Sequence, residues 1–549
     1  MKRIHESYCA GDRSAKRFFN IPFGNWDAAS KGRLHSPVEP WHDDALAELY
    51  TYNLERGASP LALTHIQSLD NPQTFVIATG QQPGFFGGPL YNIYKSLAAV
   101  RIAEAFSQRF HVKAVPIFWL ASDDHNLDDV ASFYWKSPHG IIESASFQSG
   151  ENNEGFPLFA LEIDPQAALS ILENLRTTTV DNTAMKNLFA DIEQCIVSSR
   201  TFEDFFVRVM NYLLDDSGLI FVPPHLKAIR RRSLPVILHE LTNPGYSSSL
   251  IRLAADRLGD AGFEPTLSRK HEQVNVFIYD DAGKRCRLRR HPHGFAIENV
   301  VLPGDGTTVS EADLLSLIHD TPAKISFNVV TRPLVQDMIF PTVAYVGGAG
   351  EISYLAQLKD VYASLGIFMP MIVPRPNILL IDPTTARLLE KYHLDISAID
   401  PTNPATFSSF EQIIREKIAG ETIIHDTHAN IERLIIEMKQ HLAGVRDSGV
   451  QRSMEKLEGH LHTSFSKLEE RYQRYSMERN EASAKHLRML SDSLFPLSKP
   501  QERVFSALSP GIVEHCGKGM TAISETIRST FRDMGTGSGK ITISLHAGA

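Results

Sequence analysis

Cysteine is scarce in this chain of 549 residues: Cys9, Cys195, Cys286 and Cys516 stand far apart. No two have the spacing of a metal-binding pair, so no metal site is expected from them. So few thiols in so long a chain point to a reducing, cytoplasmic setting. Cys9 can be a nucleophile, but a buried or idle thiol is the plainer reading. Long hydrophobic runs are missing too. Nothing approaches the roughly 18 apolar residues of a membrane span, and the charged N-terminus has no apolar core of a secretory signal. Positive charge is not in excess: 55 Lys and Arg against 64 Asp and Glu give a net charge of −9. That argues against a general nucleic-acid binder. An apolar fraction of 43% is ordinary, and the length allows a large core and more than one domain.

What is present centres on Thr74 to Val130. Phe75 to Ala78 is a short apolar run typical of a buried strand. Gly80, Gly84, Gly87 and Gly88 make a tight loop after it. This loop has neither the P-loop arrangement nor the dinucleotide fingerprint. Pro89 can open a helix, and Leu90, Ile93, Leu97, Val100 and Ile102 give that helix an apolar face. Val115 to Ala121 reads as the next strand. The unit is strand, loop, helix, strand, with polar residues after both strands, where an open parallel sheet binds ligands.

The remaining chain alternates in character. Pro165 to Asn211 reads as helices, Leu219 to Val222 as a strand, and Arg230 to Arg232 as a basic run on a solvated face or an anion site. Arg285 to Arg290 is a basic alternating strand in material inserted into the sheet domain. From Val329 to Leu358 two turn signals precede a helix. Met454, Leu461, Leu468, Tyr475 and Ala482 recur every seven residues, which is coiled-coil spacing. A turn at Asp447 to Gly449 makes the region an antiparallel hairpin, folded on itself or joined to a second subunit. A final helix covers Ala522 to Arg532.

Four clusters carry candidate chemistry. Backbone N–H groups of the glycine loop suit an anion or nucleotide, with Gln81 and Gln82 as donors and acceptors; Lys95 reaches phosphate or faces water. Asp123, Asp124, His125 and Asp128 at a strand end either cap a helix or hold an amine, a sugar hydroxyl or a metal; their spacing matches no zinc motif. In the third cluster, Arg332, Gln336, Gly348, Glu351 and Tyr354, the glycines again suggest a helix start close to ligand. There Glu351 caps the helix or receives a substrate amine. Arg375 and Asn377 bind a carboxylate or brace a loop.

Several motifs together resemble the cysteine ligases of bacillithiol biosynthesis, the cysteine-adding enzymes. They are Thr79-Gly-Gln-Gln-Pro-Gly84 with Gly88-Pro-Leu-Tyr91, Phe118-Trp-Leu-Ala-Ser-Asp-Asp-His125, Arg332-Pro333 with Gln336, Pro341-Thr-Val-Ala-Tyr-Val-Gly-Gly348, Gly350-Glu351, Pro374-Arg375 and Gln501-Glu-Arg503. The resemblance runs over nearly the whole chain. It implies an α/β fold: a Rossmann-like parallel-sheet core with inserted connecting domains and an α-helical coiled-coil domain used for dimerisation. The expected divisions are 1–150 and 331–405 for the core, 151–330 for further core strands with the insertions, 406–495 for the coiled coil, and 496–549 packing on the core. The implied reaction adds cysteine to the amine of glucosaminyl-malate. The first motif is also similar to the nucleotide loop of class I aminoacyl-tRNA synthetases, which implies ATP, accompanied by Mg, and an adenylated cysteine carboxylate. Gln82, Asp123, Asp124, His125 and Glu351 are the expected catalytic groups. Thr79, Gly80, Gln81, Gly84, Gly88, Tyr91, Lys95, Asp128, Arg332, Gln336, Gly348, Tyr354, Arg375 and Asn377 are the expected substrate or nucleotide contacts. Two positions depart from the family pattern: Asn126-Leu127 replaces an acidic-aromatic pair, and Val222-Pro-Pro224 stands where an Asp-Pro is common. A nucleotidyltransferase with another acceptor and an inactive dimeric scaffold are the competing expectations.

Overall fold

The computed structural model describes residues 2–137, 140–148, 153–179, 182–270, 273–301, 307–396, 408–414, 423–445, 447–479, 481–517, 520–531 and 540–544. Strands β1 (Phe75–Gln81) and β2 (Ala114–Leu120) flank helix α1 (Tyr91–Phe110). The two strands are parallel, from Phe75 opposite Ala114 to Gln81 opposite Leu120. All of β2 is buried, and all of β1 but Gln81, as in a sheet covered on both faces. A small antiparallel pair, β3 (Ser132–Lys136) and β4 (Ile142–Ser146), comes next. Strand β5 (Ile220–Val222) then joins the outer side of β2, and helix α2 (Lys227–Arg232) follows it.

The inserted material is a second sheet. Strands β6 (Gln273–Tyr279), β7 (Arg285–His291), β8 (Gly294–Asn299), β9 (Thr307–Val309) and β10 (Ile325–Phe327) pair in the order β10-β6-β7-β8-β9, all antiparallel. Helix α3 (Thr331–Ile339) leads back to β11 (Thr342–Gly347), which pairs with the free side of β1. Helix α4 (Ala349–Leu355) and strand β12 (Met371–Pro374) complete the core sheet, in the order β12-β11-β1-β2-β5. The sheet therefore grows from β1 toward β5, then restarts on the other side of β1. The reversal falls between β1 and β11, and a crevice opens at the carboxyl ends of strands at such a point.

Two details differ from the sequence reading. The stretch from Val329 to Leu358 ends in the expected helix, α4, but ahead of it stand helix α3 and the central strand β11 where two turns were expected; Pro341 and Gly347-Gly348 bracket β11 and hid it. Helix α1 begins at Tyr91, because Pro89 bridges Ser506 and the Leu90 N–H donates to the Phe505 carbonyl at 2.8 Å.

Beyond the core sheet, β13 (Asn377–Ile381) runs parallel to β14 (Lys540–Ser544). Between them lie helices α5 (Ile423–Leu442), α6 (Ser448–Arg479) and α7 (Glu481–Leu494), and then α8 (Thr521–Phe531), which packs on α1. The expected division at 405 and 406, and the expected helix end at Arg532, lie outside the described residues. Helices α5 and α6 form an antiparallel hairpin, closed at 2.6 Å by Lys439 and Glu458. Asp447 turns the chain by accepting from Gly449 and Val450 N–H. The expected heptad stripe is divided: Met454 is buried in the hairpin, while Leu468 and Tyr475 on the same stripe, with Leu457 and Tyr472 beside them, are exposed.

The glycine loop is itself part of the core. Phe85 and Phe86 are buried against Phe133, Phe147, Phe202 and Phe205. A Cβ on Gly84 would lie 2.6 Å from the Gly88 Cα, and Gly88 has φ +69°. The two glycines are needed for the chain to pass itself closely. Since backbone must move to admit a methyl group, Gly84→Ala is expected to cost about 1–3 kcal/mol. The measurement is the urea unfolding midpoint; an unchanged midpoint would show that the loop yields freely.

Candidate active site

The crevice at the carboxyl ends of β1, β2 and β11 encloses about 450 Å³. The inserted sheet forms its far wall through Phe277, Arg285 and Phe327. Gly80, Gln81 and Gln82 enter it from β1, and Asp123 and Asp124 from β2; Arg332, Tyr345, Glu351 and Tyr354 come from the β11 side. Gly80 permits the close end of β1: a Cβ there would stand 2.7 Å from the Trp119 carbonyl oxygen.

One charged network sits over the reversal between β1 and β11. Lys95 comes from α1 and is 1% exposed. Its Nζ donates to the Gly80 carbonyl at 2.6 Å, to Gln81 Oε1 at 3.1 Å and to Glu351 Oε2 at 2.5 Å. Glu351 also accepts from the Gly348 N–H at 2.8 Å, so it caps the start of α4. Its other oxygen accepts from Tyr345 Oη at 2.6 Å. The amine that Glu351 receives is thus the chain's own Lys95. Burial pushes the Glu351 carboxyl up, but Lys95, the Gly348 N–H and Tyr345 outweigh it and hold the group below the usual range. Burial likewise lowers Lys95, against the pull of Glu351. Arg332 continues the network, donating to Tyr354 Oη at 3.1 Å and Gln336 Oε1 at 3.2 Å.

The opposite wall carries the second network. Asp124 Oδ2 accepts from Gln82 Nε2 at 2.6 Å, and its Oδ1 accepts from Arg285 Nη1 at 3.2 Å. Asp124 Oδ1 also turns the loop by accepting from the His125 N–H at 2.8 Å. Burial raises its carboxyl, but His125 and Arg285 bring it down to about 2. Arg285 is fixed on the other side by Ser326 Oγ at 2.9 Å and the Phe327 carbonyl at 2.5 Å, over the Phe277 ring. No helix follows Asp123 and Asp124, so neither is a helix cap.

The expected site residues therefore separate. Gln81, Gln82, Asp124, Arg332, Glu351 and Tyr354 meet at the cleft, with Lys95 and Gln336 directly behind them. His125 stands beside Asp124, 3.4 Å from its carboxylate. Asp123 borders the cleft, yet its oxygens accept from both Arg230 terminal nitrogens, Tyr279 Oη and the Phe327 N–H. Those contacts turn the carboxylate of this expected catalytic residue toward Arg230, Tyr279 and the Phe327 N–H. Thr79 is buried and donates to the Val346 carbonyl at 2.9 Å, tying β1 to β11. Gly84 and Gly88 face each other instead of the cleft. Arg375 forms a buried two-point pair with Glu502 and rests over Tyr91, so it braces the C-terminal segment and does not present itself to a ligand. Gly348 starts α4 beneath Glu351, Asn377 begins β13, and Asp128 is exposed on the loop after β2.

Sequence reasoning missed Arg269, Tyr345 and the site role of Arg285. Arg269 lines the cleft and its Nε is buried with no hydrogen-bond partner among the described residues. Alternation in β7 was visible, but not that Arg285 is its buried arginine. Arg230 is also corrected: it is buried, not on a solvated face.

A Rossmann-like sheet with a charged cleft at its strand reversal, a second sheet inserted over that cleft and a separate helical hairpin define an α/β protein of a recognisable architecture. The chain matches "Bacillithiol biosynthesis BshC, N-terminal Rossmann-like domain" over residues 1–376 and "Bacillithiol biosynthesis BshC, C-terminal coiled-coil domain" over 378–511. It belongs to the BshC family of bacillithiol biosynthesis. Curated relatives named "Putative cysteine ligase BshC" include that of Bacillus mycoides (strain KBAB4), 26% identical over 87% of this chain and 88% of the relative. Those of Desulforamulus reducens and Chlorobaculum tepidum are 27% and 28% identical, covering 86% and 84% of this chain and 87% and 82% of theirs. A solved Thermus thermophilus arginyl-tRNA synthetase, 10% identical over 92% of each chain, has a TM-score of 0.17, too slight a likeness to bear on fold or function.

The Lys95 and Glu351 pair gives a stability test. Glu351→Gln leaves a buried ammonium unpaired and is expected to cost about 3–5 kcal/mol at neutral pH. Because the Glu351 carboxyl is depressed in the folded protein, its contribution is complete above the ordinary value of about 4.3. It is lost as pH falls through the lower folded value. The gap between the urea midpoints of wild type and variant should begin to close only as pH falls below about 4.3; a gap independent of pH would assign the effect to shape.

Proposed function

We propose that this member of the BshC family, a ligase of bacillithiol biosynthesis in general terms, joins cysteine through its carboxylate to the amine of glucosaminyl-malate, with ATP as co-substrate. The observation that carries this reading is the pairing, across one cleft, of the Asp124 carboxylate on one wall with Arg332 on the other. Such a cleft can take an amine and an anion together. Asp124 stays ionised through the neutral range, given its value of about 2. It can hold the sugar ammonium, and His125 beside it can take the proton that must leave before attack.

ATP supplies the leaving group that turns a carboxylate into an acyl donor. The donors present suit its anionic part: Arg269, Arg285 and Arg332 all line the cleft, and Arg269 Nε is unpartnered among the described residues. The glycine loop is buried, so recognition of the anion falls to these guanidinium groups rather than to a backbone cradle. Mg would enter with the triphosphate as part of the substrate.

Reconstitution with cysteine, glucosaminyl-malate and ATP tests the reaction. Wild type should form bacillithiol, and Asp124→Asn should reduce turnover by about a hundredfold or more, measured well below both melting temperatures. Absence of product from folded wild type would favour another acceptor or an inactive scaffold. Near-wild-type turnover in the variant would remove Asp124 from the reaction.

The family's coiled-coil domain fits an oligomeric protein, and the proposed state is a homodimer joined through the hairpin. Leu457, Leu468, Tyr472 and Tyr475 are each at least 41% exposed on α6, an apolar stripe suited to a second copy. Light scattering should give a dimer for wild type and a monomer for the double variant Leu468→Glu with Tyr475→Glu. A monomeric wild type rules the arrangement out, and a dimeric variant puts the interface elsewhere.

A further inference from the structure

The hairpin holds a cluster that neither the cleft nor the stripe of exposed apolar residues uses. His428 and Glu432 stand one turn apart on α5, and His462 faces them from α6. One ligand-type atom from each lies within 4.8 Å of the others. The individual separations are informative. His428 Nε2 is 3.8 Å from Glu432 Oε1, and His462 Nδ1 is 3.5 Å from that same oxygen. Hydrogen bonds would close to about 2.8–3.0 Å. Two donors about 2.0–2.1 Å from one tetrahedral ion stand about 3.3–3.5 Å apart. Both separations from Glu432 lie nearer that spacing than a hydrogen bond. His428 Nε2 is also buried with no hydrogen-bond partner among the described residues.

The surroundings fit the same point. The other ring nitrogen of His428, Nδ1, faces Glu469 Oε2 at 3.8 Å, and the ring lies flat on Phe465 with centroids 5.4 Å apart. A carboxylate behind a metal-binding imidazole fixes which nitrogen carries the proton and leaves the other free to coordinate. The stacked ring limits its rotation.

We propose that the hairpin binds a divalent transition-metal ion, zinc foremost, through His428 Nε2, Glu432 and His462 Nδ1. Glu469 orients His428, and water fills the fourth position. Mixed imidazole and carboxylate donors suit zinc better than magnesium or calcium, which take oxygen ligands. The ion joins two helices linked only by a short turn, so binding stabilises the hairpin. This site is independent of the reaction proposed for the cleft. The sequence did not reveal it, because a His and a Glu one turn apart are common and the third ligand lies across the turn.

The test uses full-length protein stripped with chelator and titrated with zinc, and separately with cobalt(II) as a spectroscopic probe. One zinc per chain is expected, with the intense visible bands of tetrahedral cobalt and a higher melting temperature with zinc. Glu432→Gln changes little in shape and should weaken binding at least about a hundredfold, beyond the effect of Glu469→Gln, expected at about 10–100-fold. His428→Gln with His462→Gln should remove the cobalt bands. Wild type that takes up no zinc overturns the site, as does equal zinc and cobalt binding by Glu432→Gln and the double variant. Circular dichroism checks that the variants keep their helices, and Glu432→Gln provides the decision if the double variant unfolds.

Discussion

The inserted sheet and the end of β2 are held together at the cleft by one buried carboxylate. Asp123 gathers Arg230 from α2, Tyr279 from β6 and the Phe327 N–H from β10 onto the end of β2. A charge in that position would be costly without partners, and removing one of them leaves the others buried and unbalanced. Three segments distant in sequence are thereby fixed against the core sheet. Asp124 is the next residue, so its direction is set by the same anchor. Arg285 reaches Asp124 from the inserted sheet whose position the anchor determines.

The two walls of the cleft follow a common rule. Each places an ionised group where water is largely excluded and then surrounds it with fixed donors or acceptors. Lys95 is held by a carbonyl, an amide oxygen and a carboxylate. Arg285 is held by a hydroxyl, a carbonyl and a carboxylate over an aromatic ring. Groups fixed in advance need little rearrangement when a substrate's charge develops, which is where such sites gain most of their effect.

The strand, loop, helix and strand around α1 were legible because a local pattern decides them: an apolar run, glycines, then helical spacing. The glycine loop was legible as a tight turn but not as a buried one. The aromatic rings that cover Phe85 and Phe86 come from residues 133, 147, 202 and 205, and no local spacing announces them. The basic run at Arg230 to Arg232 looked uniform, yet packing selects Arg230 for burial and leaves Arg231 exposed. Arg375 looked available because its partner, Glu502, lies far along the chain. What the sequence concealed was, in each case, the identity of a distant partner.

The strand order also has a consequence during synthesis. Strand β1 pairs on one side with β2, close behind it, and on the other with β11, which begins only at Thr342. At ribosomal rates of about 5–20 residues per second, that edge of β1 waits on the order of tens of seconds for its neighbour. During this interval a strand whose first four residues are apolar presents unpaired backbone groups to the solvent, the kind of edge that recruits other nascent chains. The feature that creates the cleft therefore makes the growing polypeptide dependent on whatever shelters that edge until residue 347 has left the ribosome.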